Sequence, residues 1–192
     1  MATLTTQKIA QLLQVYYPGP TEQLLDQLSA YLDLLLKWNA RTNLTAIRDP
    51  EEIVCRHFGE SLFVATHLPD CATLLDLGSG AGFPGLPIQL ARPGLRVTLA
   101  ESQNKKASFL REAVRTMGVS TEVWADRVEN MPAGRKYDVV ALRAVDNPAV
   151  ALELARARLA SGGLIAHLTS GTREFGTVIQ VPNSSQTSLH LI

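Results

Sequence analysis

Apolar residues recur at helical spacing in the first third of the chain: Leu24, Leu28, Tyr31, Leu32, Leu35 and Trp38 share one face. Residues 1 to about 64 therefore read as helices, and this stripe reads as core-facing with no ligand assigned to it. Asp49-Pro50-Glu51-Glu52 predicts another helix start, with Asp49 capping, Pro50 in the first turn and Glu52 completing a capping box. From residue 73 the pattern changes to short apolar runs alternating with helical stretches, which predicts a parallel sheet covered on both faces. Strands are expected at 73–77, 96–100, 121–124, 137–142 and 164–168. Helices are expected after the glycines near 80, at about 104–117 and at about 148–159, the last closed by Ser161-Gly162-Gly163. A final pair, 176–181 and 188–192, is joined by Pro182-Asn183-Ser184-Ser185-Gln186. The fold class is α/β: a mostly parallel seven-stranded, Rossmann-like sheet with an N-terminal helical extension. Residues 1–64 form a cap within the same globule, and residues 65–192 form the cofactor-binding domain.

The run Asp76-Leu77-Gly78-Ser79-Gly80-Ala81-Gly82-Phe83-Pro84-Gly85 follows the first strand and reads strand, tight turn, helix. Glycines permit positive φ and leave no Cβ between backbone and ligand. Pro84 suits a first helical turn, and the helix start brings free N–H groups. A nucleotide-like cofactor can lie on such a backbone, and two classes compete for it. Gly80-Ala81-Gly82-Phe83-Pro84-Gly85 matches the dinucleotide pattern G-x-G-x-x-G, with the acid expected about 20 positions on supplied by Glu101. A carboxylate there binds ribose hydroxyls, whether of NAD or of S-adenosylmethionine (SAM). Asp76 separates the two. A pyrophosphate gains nothing from a carboxylate two residues before the first glycine, whereas the ammonium and sulfonium of SAM do. The reading is SAM.

Composition narrows the setting. The 192 residues are 46% hydrophobic and 19% charged, enough for the core of one domain, and the formal net charge is zero. No global field draws the chain to a polyanion, so any such site must be a local patch. Cys55 and Cys71 read as free thiols, and no metal-ligand spacing is present. Neither a signal peptide nor an apolar run of ~20 residues is evident, so a cytoplasmic protein without a membrane segment or metal is expected.

Two further groups carry candidate chemistry. Trp38 to Arg48 is polar and compact, and Arg56, His57, Glu60 and Ser61 fall within about one helical turn. That cluster is either one wall of a substrate cleft or a hydrogen-bonded knot joining cap to sheet. In a parallel sheet, ligands bind beyond the carboxyl ends of the strands. That rule gathers Gly78 to Phe83, Glu101, Asp126 to Glu129 and Arg143 on one rim. Backbone at Gly78 and Gly80 would meet the methionine part, Glu101 the ribose, and main-chain groups of Val128 and Glu129 the adenine. Arg143 would face an anion, either the methionine carboxylate or a substrate phosphate, or else close a strand-end salt bridge with Glu101 or Asp126.

With those residues placed, the chain resembles the glucose-inhibited division protein B family, also called RsmG, nearly end to end. The resemblance rests on Trp38-Asn39, Asn43-Leu44-Thr45, Arg56-His57 with Glu60-Ser61-Leu62, the stretch Asp76 to Gly85, Arg127-Val128-Glu129 and Arg143-Ala144-Val145. It implies a SAM-dependent methyltransferase acting on guanine N7 in the 530 loop of bacterial 16S ribosomal RNA. It also implies, as partner, that RNA or the small ribosomal subunit; a monomer is expected. Asn43, Arg56, His57, Glu60 and Ser61 become substrate-side candidates, without an assigned catalytic step, and Asp76 and Phe83 complete the cofactor set. Two positions depart from the family's pattern. Glu60 stands where aspartate is usual, and Leu168-Thr169-Ser170-Gly171 stands where Leu-Lys-Gly is usual. Guanine N7 has an in-plane lone pair and no proton, so its methylation requires no general base. Arg41, Arg48, Arg56, Lys105, Lys106 and Arg143 are available for phosphates. The rival readings are a methyltransferase for a small molecule or protein, a dinucleotide oxidoreductase and a non-enzymatic RNA-binding module.

Overall fold

The structure is a computed structural model, and it describes residues 2–145, 147–170 and 176–192. Gly171, in the segment that departs from the Leu-Lys-Gly pattern, lies outside the described residues. Helices α1 (Thr6–Leu13) and α2 (Glu22–Thr42) open the chain, and the hydroxyls of Thr5 and Thr21 accept the Lys8 and Leu24 N–H groups at their starts. Asp49 caps α3 (Pro50–Ile53) by accepting the Glu52 N–H at 2.8 Å. This helix does not run on as a regular α-helix. It passes through a π-helical turn, Val54–Gly59, before α4 (Glu60–His67).

The alternating part comprises β1 (Thr73–Leu77), α5 (Gly85–Ala91), β2 (Arg96–Ala100), α6 (Asn104–Met117), β3 (Glu122–Trp124), β4 (Tyr137–Arg143), α7 (Pro148–Arg158), β5 (Leu159–Thr169), β6 (Thr177–Gln180) and β7 (Ser188–Leu191). Their order across the sheet is β3-β2-β1-β4-β5-β7-β6, with β7 antiparallel to both its neighbours and the other pairings parallel. The α/β class and the seven strands expected from the sequence are present.

Helices cover both faces unequally. One core joins Leu28, Tyr31 and Leu32 of α2 and Leu62 of α4 to Leu86 of α5 and Phe109 of α6, and it extends from Ile9 to Leu189. The opposite face packs Leu75, Val140 and Leu142 against Ala151, Leu152 and Ala155 of α7 and against Val128 and Met131. The connection leaving the carboxyl end of β1 runs toward β2, and the one leaving the neighbouring β4 runs the opposite way toward β5. A crevice opens there.

Two expectations about local structure are corrected. Pro84 precedes α5 rather than occupying its first turn, because the chain makes a further turn from Gly80 to Pro84. Ser161-Gly162-Gly163 does not close α7 either. Strand β5 begins at Leu159, directly after the helix, and its register against β4 shifts between Tyr137 and Val139. Gly162, at φ +75°, absorbs the extra residues as a bulge, a role glycine fills inside strands.

Candidate functional site

Asp76 is fully buried at the end of β1, and its Oδ2 accepts the Gly85 N–H at 3.0 Å. The start of α5 is thus filled by the protein's own carboxylate. The free N–H expected there is not free, and a pyrophosphate would have to displace Asp76. The loop between them is tied down elsewhere too. Gly78 and Ser79 donate to the Ala100 carbonyl at 3.0 Å each, and Gly80 donates to Glu101 Oε2 at 3.0 Å. Gly78 and Gly80 have φ of +76° and +58°, and a Cβ at Gly78 would meet no atom within 4 Å. The backbone there faces open space, as a ligand cradle requires.

Gly82 is the opposite case. Its φ is +92°, and a Cβ would lie 2.3 Å from the Tyr31 hydroxyl. That hydroxyl donates to the Ala81 carbonyl, and the Tyr31 ring stacks on Phe83 with centroids 5.5 Å apart. Helix α2 therefore supports the glycine loop from beneath. Sequence reasoning placed Tyr31 in the core and missed its hydroxyl. The available signal was a tyrosine in a stripe otherwise mostly leucine, since a buried phenol needs a partner.

The polar cluster of the π-helical turn meets Arg143 from β4. Glu60 is only 1% exposed, and its two oxygens accept from Arg56 Nε and Arg143 Nη2, each at 2.9 Å. Arg143 also donates to the Arg56 carbonyl at 2.7 Å. The ion pair expected with Glu101 or Asp126 is therefore formed with Glu60. His57 stacks on Phe83 at 4.7 Å and its Nε2 shares a 2.7 Å hydrogen bond with the Thr45 hydroxyl. Burial, reinforced by Arg143 and Arg56, pushes the His57 imidazole down to about 3, so it is neutral at physiological pH. Ser61 is fully buried and donates to the His57 carbonyl. Asn43 caps α2 in the left-handed conformation and accepts from Arg48 at 2.7 Å.

Two clefts open along the carboxyl rim of the sheet. The first, of about 160 Å³, is lined by Gly78, Glu101, Asp126, Val128 and Glu129 among others. Glu101 is held there by the Gly80 and Gln103 N–H groups. The Val128 carbonyl is engaged by Arg158, which also donates to the carbonyls of Met131 and Pro132. Arg158, at the end of α7, was not anticipated, and it fixes the turn that walls this cleft. The second cleft, of about 340 Å³, lies between Arg56, Glu60 and Arg143 on one side and Pro148, Thr169 and Thr187 on the other. Of the five substrate-side candidates, Arg56 and Glu60 line it. His57, Ser61 and Asn43 line neither cleft and build the knot behind the wall. The knot between cap and sheet is present, and Arg56 and Glu60 are the members of the cluster that also border a cleft. Phe83 is buried in the aromatic stack, with the Arg143 guanidinium 5.9 Å from its ring centre.

The residues fit SAM on two observations. The backbone at Gly78 is open, and Asp76 Oδ1 is buried without a partner beside the loop. Burial, only partly offset by the Gly85 N–H, raises the Asp76 carboxyl to about 7. In the unfolded chain it titrates near 4. Between these values the folded state binds more protons, so this group's contribution to stability is present below pH 4 and lost as pH rises through 7. Asp76→Asn cannot titrate. The melting temperature of that variant relative to the parent is expected to rise from pH 5 to about pH 7 and to level off by pH 8. A constant difference over that range would show that Asp76 ionises normally.

Known proteins resemble this chain in sequence and in fold. Residues 24–180 match the family model described as rRNA small subunit methyltransferase G. Ribosomal RNA small subunit methyltransferase G of Stenotrophomonas maltophilia (strain K279a) is 44% identical over 148 residues, covering 77% of this chain and 69% of that protein. The protein of that description from Chromobacterium violaceum is 40% identical over 162 residues, covering 84% and 78%. Among solved structures, the ribosomal protein L11 methylase from Lactobacillus delbrueckii subsp. bulgaricus superposes with a TM-score of 0.57 at 9% identity, covering 71% of this chain and 77% of that one. Coclaurine N-methyltransferase bound to N-methylheliamine and SAH gives 0.54 at 20% identity, covering 84% and 55%. At such identities the structural likeness concerns the fold.

Proposed function

The chain belongs to the rRNA small subunit methyltransferase G family, and from that premise we propose that it methylates N7 of a guanine in the 530 loop of bacterial 16S ribosomal RNA. It is a SAM-dependent methyltransferase whose substrate is the RNA of the small ribosomal subunit. No helix among the described residues is long and apolar enough to cross a membrane. The setting we assign is the bacterial cytoplasm, with the protein acting as a monomer.

The observation that carries the N7 reading is the state of the candidate residues at the larger cleft. Glu60 is neutralised by two arginines. Half-buried His57, stacked on Phe83 with its Nε2 on the Thr45 hydroxyl, is held at about 3 and is too weak a base. Neither is placed to take a proton from a substrate. A guanine N7 asks for none, because its lone pair lies in the ring plane and attack releases no proton. What remains is alignment and exclusion of water.

When bound, SAM supplies an activated methyl group on a sulfonium. We assign the smaller cleft to its adenosine, with Glu101 accepting from the ribose and the Val128–Glu129 turn facing the adenine. Gly78 and Gly80 form the floor, Asp76 offsets the cofactor's positive charge from below, and Phe83 backs the loop. Arg143, in the wall of the larger cleft, anchors the methionine carboxylate or a phosphate of the RNA. Arg56 and Glu60 form the acceptor wall. Residues 1–64 act as a cap that completes this wall, and residues 65–192 as the SAM-binding domain. The target base leaves its stack to enter, at a cost of a few kcal/mol that is smaller in an open loop.

Purified protein incubated with SAM and 16S ribosomal RNA is expected to yield 7-methylguanosine on nuclease digestion. Methylation at a base-paired edge, such as N1 or N2, would sink the N7 assignment while leaving the family intact.

A further inference from the structure

Trp38 is only partly absorbed by the fold. Its indole packs T-shaped against Phe109 of α6, with centroids 5.7 Å apart, and its carbonyl accepts the Thr42 hydroxyl. The uncovered part of the ring lies in a hollow of about 170 Å³ lined by Lys37, Trp38, Arg41 and Thr42. Lys37 and Arg41, one turn apart on α2, are exposed. Lys105, also exposed, stands one turn before Phe109 on α6. None of these three cations pairs with a carboxylate among the described residues. No acid among the described residues lines the hollow.

We propose that this hollow is a docking cradle for an unpaired stretch of RNA, seating one base against Trp38 and the flanking phosphates on Lys37 and Arg41. The proposal rests on the ribosomal-RNA reading above and extends it to a surface outside both clefts. An aromatic ring flanked by unpaired cations suits single-stranded nucleic acid, whose bases stack while its phosphates pair. A duplex would offer the phosphates but no free base face. An acidic peptide would use the cations and leave the indole idle. With a net charge of zero, attraction for RNA must come from such local groups. The position is also right. The end of α2 leads into the loop whose Thr45 holds His57 behind the acceptor wall, and α6 starts just after Glu101 at the cofactor cleft. The hollow is thus joined through both helices to segments that border the two clefts.

The chain has two tryptophans, so a Trp124→Phe background isolates Trp38. A 12-nucleotide oligouridylate is expected to quench Trp38 fluorescence in that background. The double variant Lys37→Ala/Arg41→Ala, altered only at exposed positions, is expected to bind it roughly ten-fold more weakly. Losing two phosphate contacts should also flatten the slope of log affinity against log salt by about 1.4. SAM affinity and melting temperature should stay at parental values, and KM for ribosomal RNA should rise while kcat holds. Unquenched Trp38 with parental affinity and slope in the double variant would overturn the cradle, even if the parent methylates ribosomal RNA normally. A parent that methylates no RNA would instead overturn the functional reading on which the cradle rests.

Discussion

Glu60→Ala is expected to lower stability by about 3 kcal/mol, the lower end of the cost of breaking a buried ion pair. The reason lies in what the substitution leaves behind. Glu60 is buried and takes both Arg56 and Arg143. Without it the Arg143 guanidinium, whose side chain is 13% exposed, keeps the Arg56 carbonyl as its hydrogen-bond acceptor among the described residues. Arg56 is about half exposed and can turn to water, which holds the cost at the lower end. For a chain of this length the melting temperature should fall by roughly 6–12 °C, with loss of methyl transfer. Glu60→Asp addresses the departure from the family's usual residue, since a carboxylate one methylene shorter must give up one arginine or move the π-helical turn. A thermal melt of Glu60→Ala within a degree of the parent would show that the paired arginines are already solvated.

The second large effect is expected at Gly82. Gly82→Ala combines an unfavourable φ of +92° with a Cβ 2.3 Å from the Tyr31 hydroxyl. Either the loop lifts or Tyr31 releases the Ala81 carbonyl. The left-handed conformation costs about 1–2 kcal/mol and a lost buried hydrogen bond about 1–3 kcal/mol, so roughly 3 kcal/mol is expected in total. Gly78→Ala is the control. Its φ is similar, but nothing lies within 4 Å, and its cost to stability should be the conformational part alone. Adding Tyr31→Phe to Gly82→Ala should recover part of the loss, because the colliding oxygen is gone. Equal melting temperatures for Gly78→Ala and Gly82→Ala would mean that Tyr31 does not brace the loop.

What was legible in the sequence was mostly local. The apolar runs of β1, β2 and β4 and the stripe of α2 announce themselves, since period and burial are set within a few residues. The start of β5 was not legible, because only pairing with β4 makes a strand of Leu159 to Gly163. The π-helical turn was hidden for a related reason, as one wide turn inside a helix leaves little trace in an apolar pattern. At the site, the spacing gathered the right residues on one rim but could not apportion them. Arg143 finds its partner 83 positions away, and no local pattern separates Glu60 from Glu101 or Asp126 as that partner. His57 could be told from a solvated histidine only by knowing that Phe83 would cover it. Arg158 carries no sequence signal beyond standing at the end of a helix, and its role is set by carbonyls 26 to 30 residues earlier.

The central claim is methyl transfer from SAM to N7 of a guanine in 16S ribosomal RNA. Mass mapping of that RNA from cells with and without this protein tests it most directly. The expected result is one guanine in the 530 loop that carries a methyl group when the protein is present, loses it when the protein is absent, and regains it with the parent chain but not with Gly82→Ala. An unchanged methylation map of 16S ribosomal RNA in cells lacking the protein would contradict the account.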